Sequence, residues 1–591
     1  MLVICLDECD ILIENGLIVD GTGSPVFKGS VAIQGDRIVE VGKVKCDAKV
    51  VIDASGLVVA PGFIDVHTHA DKTLPLFPKA ENYVMQGITT TIGGNCGNVA
   101  APILDWWPPN MFWDQDILFE LKPYKYYIEG LLPADEVKKK VKEIYGVDIT
   151  WGLFKDFIKW LEENGISVNH VPLAGHNTIR AQVMGPDWNR EPTPKELEEM
   201  KWHVREAMEA GAFGLSTGLD YVPGVFSKTE EIIELVKVVK EFNGIYATHW
   251  RRTGLRRERA IPIIDKIRGI HEAIRICRET GVVTEISHLM SGYTIYPEPP
   301  IELALAAVRE TIKVIDEARK EGLKIYYDII PNVTGGTLTS VYLAALLTPW
   351  AREIGSLEGL GRALKMKDFR EELKSLILAG KWWALNPRVN PYWDNKIEIV
   401  SHANQEYVGK TIKEIAEIKD VDSIEALFDI LSEDPKAKYK NKGYRTDEEI
   451  AEFIKYPYCM IGLDTYTFDT KWSMKLPPYY VPHPNTYGGM PRYIRKYVRE
   501  MKVLPLEEAI RRITSLPAKV FKIKNRGIIK VGAYADIVIF DYKTISDVED
   551  PIDPRRYPKG IHYVIVNGVI VVEKGKHTGT KPGKVLKLNE Q

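Results

Sequence analysis

Apolar and polar positions alternate with a period of two through the first 60 residues. DILIENGLIV, VAIQGDRIVEVGK and VVIDASGLVVA each read as a strand, with breaks at Asn-Gly, Gly-Asp and Ser-Gly. The C-terminus repeats this grammar in GIIKVGAYADIVIFD and GIHYVIVNGVIVVEKGK. Chain termini usually lie near one another, so residues 1–60 and 516–591 are expected to form one small β-sandwich domain. Between them, at 61–515, short apolar runs alternate with helical periodicity. Eight runs are expected to be strands: GFIDVHTH (62–69), TTTIGGNCG (89–97), VNHVPLAGH (168–176), GAFGLSTG (211–218), GIYATHWR (244–251), VVTEISHL (282–289), KIYYDIIP (324–331) and YCMIGLDT (458–465). Amphipathic segments such as PKELEEMKWHVREAMEA and SKTEEIIELVKVVKEF follow most of them. Strand–helix alternation implies parallel pairing with right-handed crossovers, and eight units fit a closed (β/α)8 TIM barrel, an α/β fold. Residues 98–150 and 332–457 exceed a plain crossover. The first contains ADEVKKKVKEIYG, expected to be a solvated helix, and the second is expected to be an inserted subdomain or lid.

Composition narrows the class. Apolar residues make up 45% and charged residues 27% of 591, enough for a large core and incompatible with a disordered or low-complexity chain. A net charge of −3 provides no global attraction to nucleic acid or anionic lipid. The Arg251, Arg252, Arg256, Arg257 and Arg259 cluster is expected to make rim or interface salt bridges. The N-terminus MLVICLDECDILIENG lacks a basic flank and a long apolar core, and no apolar run is long enough to span a bilayer. Six cysteines without a CxxC pair suggest no disulfide framework and a reducing, cytoplasmic setting. Glutamine occurs six times against abundant Lys and Glu, which points to a thermophilic source. A homo-oligomer is compatible with the sequence.

The chemistry lies in the polar residues that end the apolar runs: His67 and His69 on strand one, Cys96 on strand two, His249 on strand five, His288 on strand six and Asp464 on strand eight. The ends of barrel strands face one mouth, where polar residues serve reactions rather than packing. His67 and His69 lie two apart on a strand and so share a face. Imidazoles, a thiolate and a carboxylate are metal donors, and this set can hold two divalent ions, or one ion beside a partly filled site. His170, His203, His271 and His402 are expected to be surface or core residues.

PGFIDVHTHADKT resembles the opening of the amidohydrolase superfamily. GITTTIGGNCG, AGHNTIR, GAFGLSTGLDYVPG, ATHWR, EISHLMSG, HPNTYGGMPRYIRKYVRE and the tail HTGTKPGKVLK resemble the N-acyl-D-amino-acid deacylase (D-aminoacylase) group within it. The resemblance implies a tight zinc site of Cys96, His249 and His288, with Cys96 replacing a modified lysine that many relatives carry. It implies a second, weaker site at His67 and His69, and Asp464 as the proton-carrying carboxylate. The implied reaction is hydrolysis of an N-acyl-D-amino acid to a carboxylic acid and a D-amino acid. A D-dipeptidase or cyclic-amide hydrolase such as a hydantoinase is the enzymatic alternative, and a non-catalytic binding protein on a barrel scaffold is the alternative of a different class. The chain departs from the group on the substrate side. Met290 stands where a lysine is usual, and Ile330 and Asn332 stand where tyrosines are usual. Those side chains are associated with holding the substrate carboxylate, so Met290 and Asn332 mark the substrate side. Arg251, Arg252 or Lys72 are candidates to replace them.

Overall fold

Both chain ends enter one sheet. In the structure, a computed structural model, the described residues are 4–107, 131–252, 266–295, 298–335, 338–340, 342–380, 385–387, 390–443, 445–469, 480–548, 550 and 555–591. The strand Ile4–Ile18 pairs antiparallel with Phe27–Gln34 and parallel with Val44–Asp53 and Val58–Pro61. Val58–Pro61 is the seam between the ends, because its other edge pairs antiparallel with Ile537–Phe540 from the C-terminus. Arg37–Gly42, paired antiparallel with Phe27–Gln34, and Ile561–Val566, Val569–Glu573 and Lys576–His577 continue the sheet to nine strands. The period of two decides what each face covers. Ile537 and Ile539 pack with Ile11, Ile13, Val31 and Ile33 inside the small domain. Val538 and Phe540 point the other way into the barrel's core, where the Phe540 ring meets Phe63 at 6.0 Å.

Cys9 and Cys46 are joined by a disulfide in this sheet. This one bond departs from the expectation of no disulfide framework and removes the argument for a reducing compartment that rested on it. Cys96, Cys277 and Cys459 are free and buried.

The barrel's parallel strands are Phe63–Asp65, Ile88–Gly93, Asn169–Pro172 (continued after Leu173 by Ala174–Gly175), Gly214–Gly218, Ile245–His249, Val283–Ile286, Ile325–Ile329 and Cys459–Ile461. Strands eight and one meet through Asp464 N to His67 O at 2.8 Å, Leu463 N to Asp65 Oδ1 at 3.0 Å and a Thr68–Thr465 bridge. The strands are shorter than the apolar runs that announced them, so His67, His69, Cys96, His288 and Asp464 sit on the turns just beyond.

The helices follow the sequence cues. Pro194–Glu209 opens on Thr193, whose side chain accepts from Glu196 N in a capping box. Ala134–Tyr145 buries Ala134, Val137 and Val141 and leaves most of its charged face to solvent. WWPPNMFW falls largely outside the described residues, as do Arg256, Arg257 and Arg259. After strand seven, residues 343–439 gather their own apolar core around Leu360, Ile399, Leu427 and Phe428. The helix Asp447–Ile454 then returns to the barrel core through Ile450, Phe453 and Ile454. Leu338–Ser340 pairs antiparallel with Tyr480–Pro482, tying the start of the insertion to the segment after strand eight. Among the described residues no helix is long and apolar enough to cross a membrane.

Candidate metal centre and active site

The Cys96 thiol is the hub of the barrel mouth. Its Sγ lies 3.3 Å from His67 Nε2, 3.5 Å from His288 Nε2 and 3.6 Å from His249 Nδ1. Asp464 Oδ1 lies 3.1 Å from His69 Nε2 and 3.7 Å from His67 Nε2. All six predicted donors therefore converge, with His67 common to two three-donor groups: His67–Cys96–His288 and His67–His69–Asp464. The resemblance assigns His67 to the weaker site alone, whereas here it faces both the thiol and Asp464. His249 also addresses the thiol, with its ring packed against that of His288.

Local sequence explains how the thiol reaches this point. In GGNCG, Gly94 has φ +86 and a Cβ there would stand 2.4 Å from Leu173 O; Gly97 has φ +71 and a Cβ would meet Asn177 Oδ1 at 2.4 Å. Only glycine fits either place. Asp71 accepts from Gly94 N at 2.8 Å and Ala100 N at 3.1 Å, and Gly97 N donates to Ser216 Oγ at 3.0 Å. Cys96, His288 and Asp464 have φ of 57°, 37° and 55°. Non-glycine residues in this region cost about 1–3 kcal/mol each and persist where the surroundings over-determine them. Here three of the six donors are held so.

Carboxylates that the strand-end reading passed over hold the imidazoles from behind. Asp328, fully buried within strand seven, faces His67 Nδ1 at 3.4 Å and accepts from His288 N at 3.0 Å. Glu285 accepts from Asp328 N at 3.1 Å; burial, then the Asp328 charge, raises it well above the ordinary glutamate range, so it keeps its proton. Asp220 lies 3.5 Å from His249 Nε2 and accepts from Arg252 N at 3.0 Å. The signal for Asp328 and Glu285 was an acid inside an otherwise apolar parallel strand, where packing has no use for one. Asp220 was visible in GLDYVPG directly after strand four.

Burial dominates the electrostatics. It pulls His69 down to about 4, with the Lys72 charge adding to it, and His249 down to about 4, with Arg252 adding to it. Burial also lowers His288 and raises the Cys96 thiol. His67 moves the other way: burial opposes its charge, but Cys96 and Asp328 outweigh it and raise it well above the usual value. For Asp464, burial favours the acid, yet the His69 hydrogen bond and the His67 charge hold it below the usual carboxylate value. His69, His249, His288 and Asp464 are thereby in donor states, whereas His67 and the Cys96 thiol must each give up a proton when a divalent cation binds.

The substrate-side candidates divide. Arg252 and Met290 are brought together, with Nη1 3.3 Å from Sδ, and Arg252 Nε lies 3.4 Å from Asp220. Arg251 is engaged elsewhere, by Glu272 at 3.0 Å and by the carbonyls of Val225 and Ser227. Asn332 Oδ1 accepts from Thr334 N and Oγ1, and Thr334 Oγ1 is 2.8 Å from the buried His483 Nε2. Lys72 is buried beside His69. His170 and His402 are core residues, with Thr91 and the Ile430 carbonyl as their partners. His203 is also buried and His271 is on the surface.

Comparison with known proteins agrees with this architecture. A family model described as "Amidohydrolase family" matches residues 50–244 and 478–572. A D-aminoacylase of Alcaligenes xylosoxydans xylosoxydans is 29% identical over 98% of this chain and 97% of its own. The crystal structure of N-acyl-D-glutamate deacylase from Bordetella bronchiseptica, complexed with zinc and a phosphonate mimic of the tetrahedral intermediate, superposes with a TM-score of 0.68 at 27% identity, covering 98% of this chain and 100% of that one. A D-aminoacylase structure concerned with its binuclear metal centre superposes with a TM-score of 0.67 at 28% identity, over 98% and 100%. The chain is thus similar to amidohydrolases, and to D-aminoacylases along nearly its whole length.

Proposed function

We propose that the protein is a zinc-dependent hydrolase that cleaves the amide bond of N-acyl-D-amino acids, releasing a carboxylic acid and a D-amino acid. One observation carries the reading: a buried thiol ringed by nitrogens of His67, His249 and His288 within 3.6 Å, with the carboxylate of Asp464 beside His67 and His69. The donor set fits zinc, for which sulfur and imidazole are the preferred ligands. When bound, zinc supplies a Lewis acid that brings the pKa of water toward about 7 and polarises a carbonyl. Cys96, His249 and His288 would hold the tighter ion, and His67, His69 and Asp464 a second.

The chain's own groups move the proton. Asp464, ionised and aimed by His69, takes a proton from the attacking water at a carboxylate oxygen and returns it to the departing nitrogen, which cannot leave as an anion. Asp328 and Asp220 hold the imidazoles of His67 and His249 in orientation. Arg252, Met290 and Asn332 form the substrate side. The insertion over 343–439 is attached where a closing element would exclude water from the mouth. An intracellular, thermophilic setting belongs to the same proposal. A disulfide in a chain that also keeps free thiols is compatible with the disulfide-bearing cytosol of hyperthermophiles.

The test is turnover of N-acetyl-D-methionine, N-acetyl-L-methionine, a D-containing dipeptide and hydantoin, with zinc measured on the same preparation. The expected result is zinc-dependent release of D-methionine with the L-enantiomer poorly used. Preference for the dipeptide or hydantoin would replace this reading with the alternative amide hydrolases.

A further inference from the structure

Four arginines stand around the mouth, and three of them meet an acid. Arg251 pairs with Glu272 at 3.0 Å, Arg252 with Asp220 at 3.4 Å and Arg492 with Asp447 at 3.0 Å. Arg445 meets none within 4 Å among the described residues. Its partners are carbonyls at the ends of strands six and seven: Nε donates to Asn332 O at 3.2 Å, Nη2 to Ile330 O at 2.9 Å, and Nη1 reaches Leu289 O at 3.5 Å. Leu289 adjoins His288, and Asn332 borders the substrate side. Arg445 acts electrostatically on His483, as does Asp464 with the opposite sign, so the guanidinium and the reacting carboxylate both lie near that ring.

A guanidinium carries five N–H donors. Three are spent on carbonyls, which leaves one on Nη1 and one on Nη2, the pair that grips a carboxylate in a bidentate fork. Arg445 is half-buried. Burial is the largest influence on it and disfavours its charge; Tyr497, Glu449 and Asp328 offset part of this, and Arg252 adds to it. A cation in such a place with no acid in contact is costly, and an arriving anion relieves that cost. The usual lysine and tyrosines of the group are replaced nearby by Met290, Ile330 and Asn332. The carbonyls of Ile330 and Asn332 are the ones that fix Arg445.

We infer that Arg445 is the residue that binds a carboxylate of the substrate through the free N–H groups of its two Nη atoms, and so makes the enzyme select N-acyl amino acids over uncharged amides. This deepens the proposed hydrolysis of N-acyl-D-amino acids and rests on it.

The experiment compares kcat/KM of the zinc-loaded enzyme for three substrates: N-acetyl-D-leucine, N-acetyl-D-leucinamide, and the α-amide of N-acetyl-D-glutamate, whose sole carboxylate is on the side chain. The ratio of two substrates on one preparation cancels the concentration of folded enzyme, so partial unfolding of a variant does not blur it. Wild type is expected to prefer N-acetyl-D-leucine over its amide. Arg445→Gln and Arg445→Met are each expected to reduce that preference about 10–100-fold, the range of a hydrogen bond to a charged group. The loss is expected mainly as raised KM for the acid, with zinc content unchanged. If the variants instead lose selectivity for the glutamate α-amide, the carboxylate bound is that of the side chain. If acid and amide fall together in both variants, Arg445 only props the strand ends and the inference is overturned. Wild type that hydrolyses N-acetyl-D-leucine without preferring it to the amide also overturns the inference but leaves the proposed function standing. Wild type inactive on all three removes the proposed function itself.

Discussion

In residues 343–439 the buried side chains are mostly apolar and mostly local: Leu427 and Phe428 close on Leu360 and Ile399, and the helices Ile412–Lys419 and Ser423–Glu433 carry their own N-caps at Thr411 and Asp422. At the barrel mouth the buried side chains are polar and come from across the chain. Cys96, His249, His288 and Asp464 span 369 positions, yet lie around one point. The insertion is stabilised by removing apolar area from water, to which each side chain contributes separately. The mouth brings desolvated imidazoles, a thiol and acids together at a cost, with three residues in left-handed backbone, and is held by the surrounding barrel and by whatever cation it binds. Stability and function should therefore separate cleanly between the two regions.

The largest effect should come from the mouth. Asp464→Asn keeps the shape of the side chain and removes the base. Turnover is expected to fall about 10²–10⁴-fold, with zinc by elemental analysis unchanged at the tighter site and melting temperature little altered. Turnover within a factor of a few of wild type would take the proton shuttle away from Asp464. A step outward, Asp220→Asn should weaken metal affinity about 10–100-fold, the usual consequence of losing a group that orients a ligating histidine. Competition with a metal chelator would show it, and an unaltered affinity would mean that Asp220 serves Arg252 alone.

In the insertion the signs reverse. Phe428 is fully buried, so Phe428→Ala should cost about 3–5 kcal/mol, read as a lower denaturant midpoint for this unit. Zinc content and the turnover of the folded fraction should hold. If zinc is lost in parallel with unfolding of the insertion, the two regions are one cooperative unit and the contrast fails.

The two regions also differed in how far the sequence disclosed them. The barrel strands were readable because each is a short apolar run that ends in a polar group. The donors at those ends were readable because His, Cys and Asp have no packing role there. Asp220 and Asp328 were passed over because they lie outside that pattern, one in a loop and one inside a strand. Their partners, His249 and His67, are distant in sequence and become neighbours only when the barrel closes. Arg445 lies in an interval that sequence length marks as surplus, and nothing in local periodicity says that its guanidinium returns to strands six and seven. The insertion was visible as excess length, but its separate core is a property of contacts among several helices that no single period records.

The same limit explains Cys9 and Cys46. With a separation of 37 positions and no paired motif, spacing alone argued against a bond. They meet because Ile4–Ile18 and Val44–Asp53 run parallel in the terminal sheet, with Cys9 opposite Ala48. A cross-link that closes a loop of this length restricts the unfolded chain by up to about 4 kcal/mol on the chain-entropy account. Cys9→Ser should therefore lower the stability of the oxidised protein by no more than that, measured by denaturant unfolding. Reductant added to the wild type should reproduce the shift and have no further effect on the variant. The mouth should be indifferent, since Cys96 is buried far along the chain and belongs to the barrel rather than to this sheet. A loss of zinc in Cys9→Ser would show that the terminal sheet, through the face that carries Phe540 onto Phe63, holds the barrel in register. The independence of the metal centre from peripheral stability would then extend to the insertion alone.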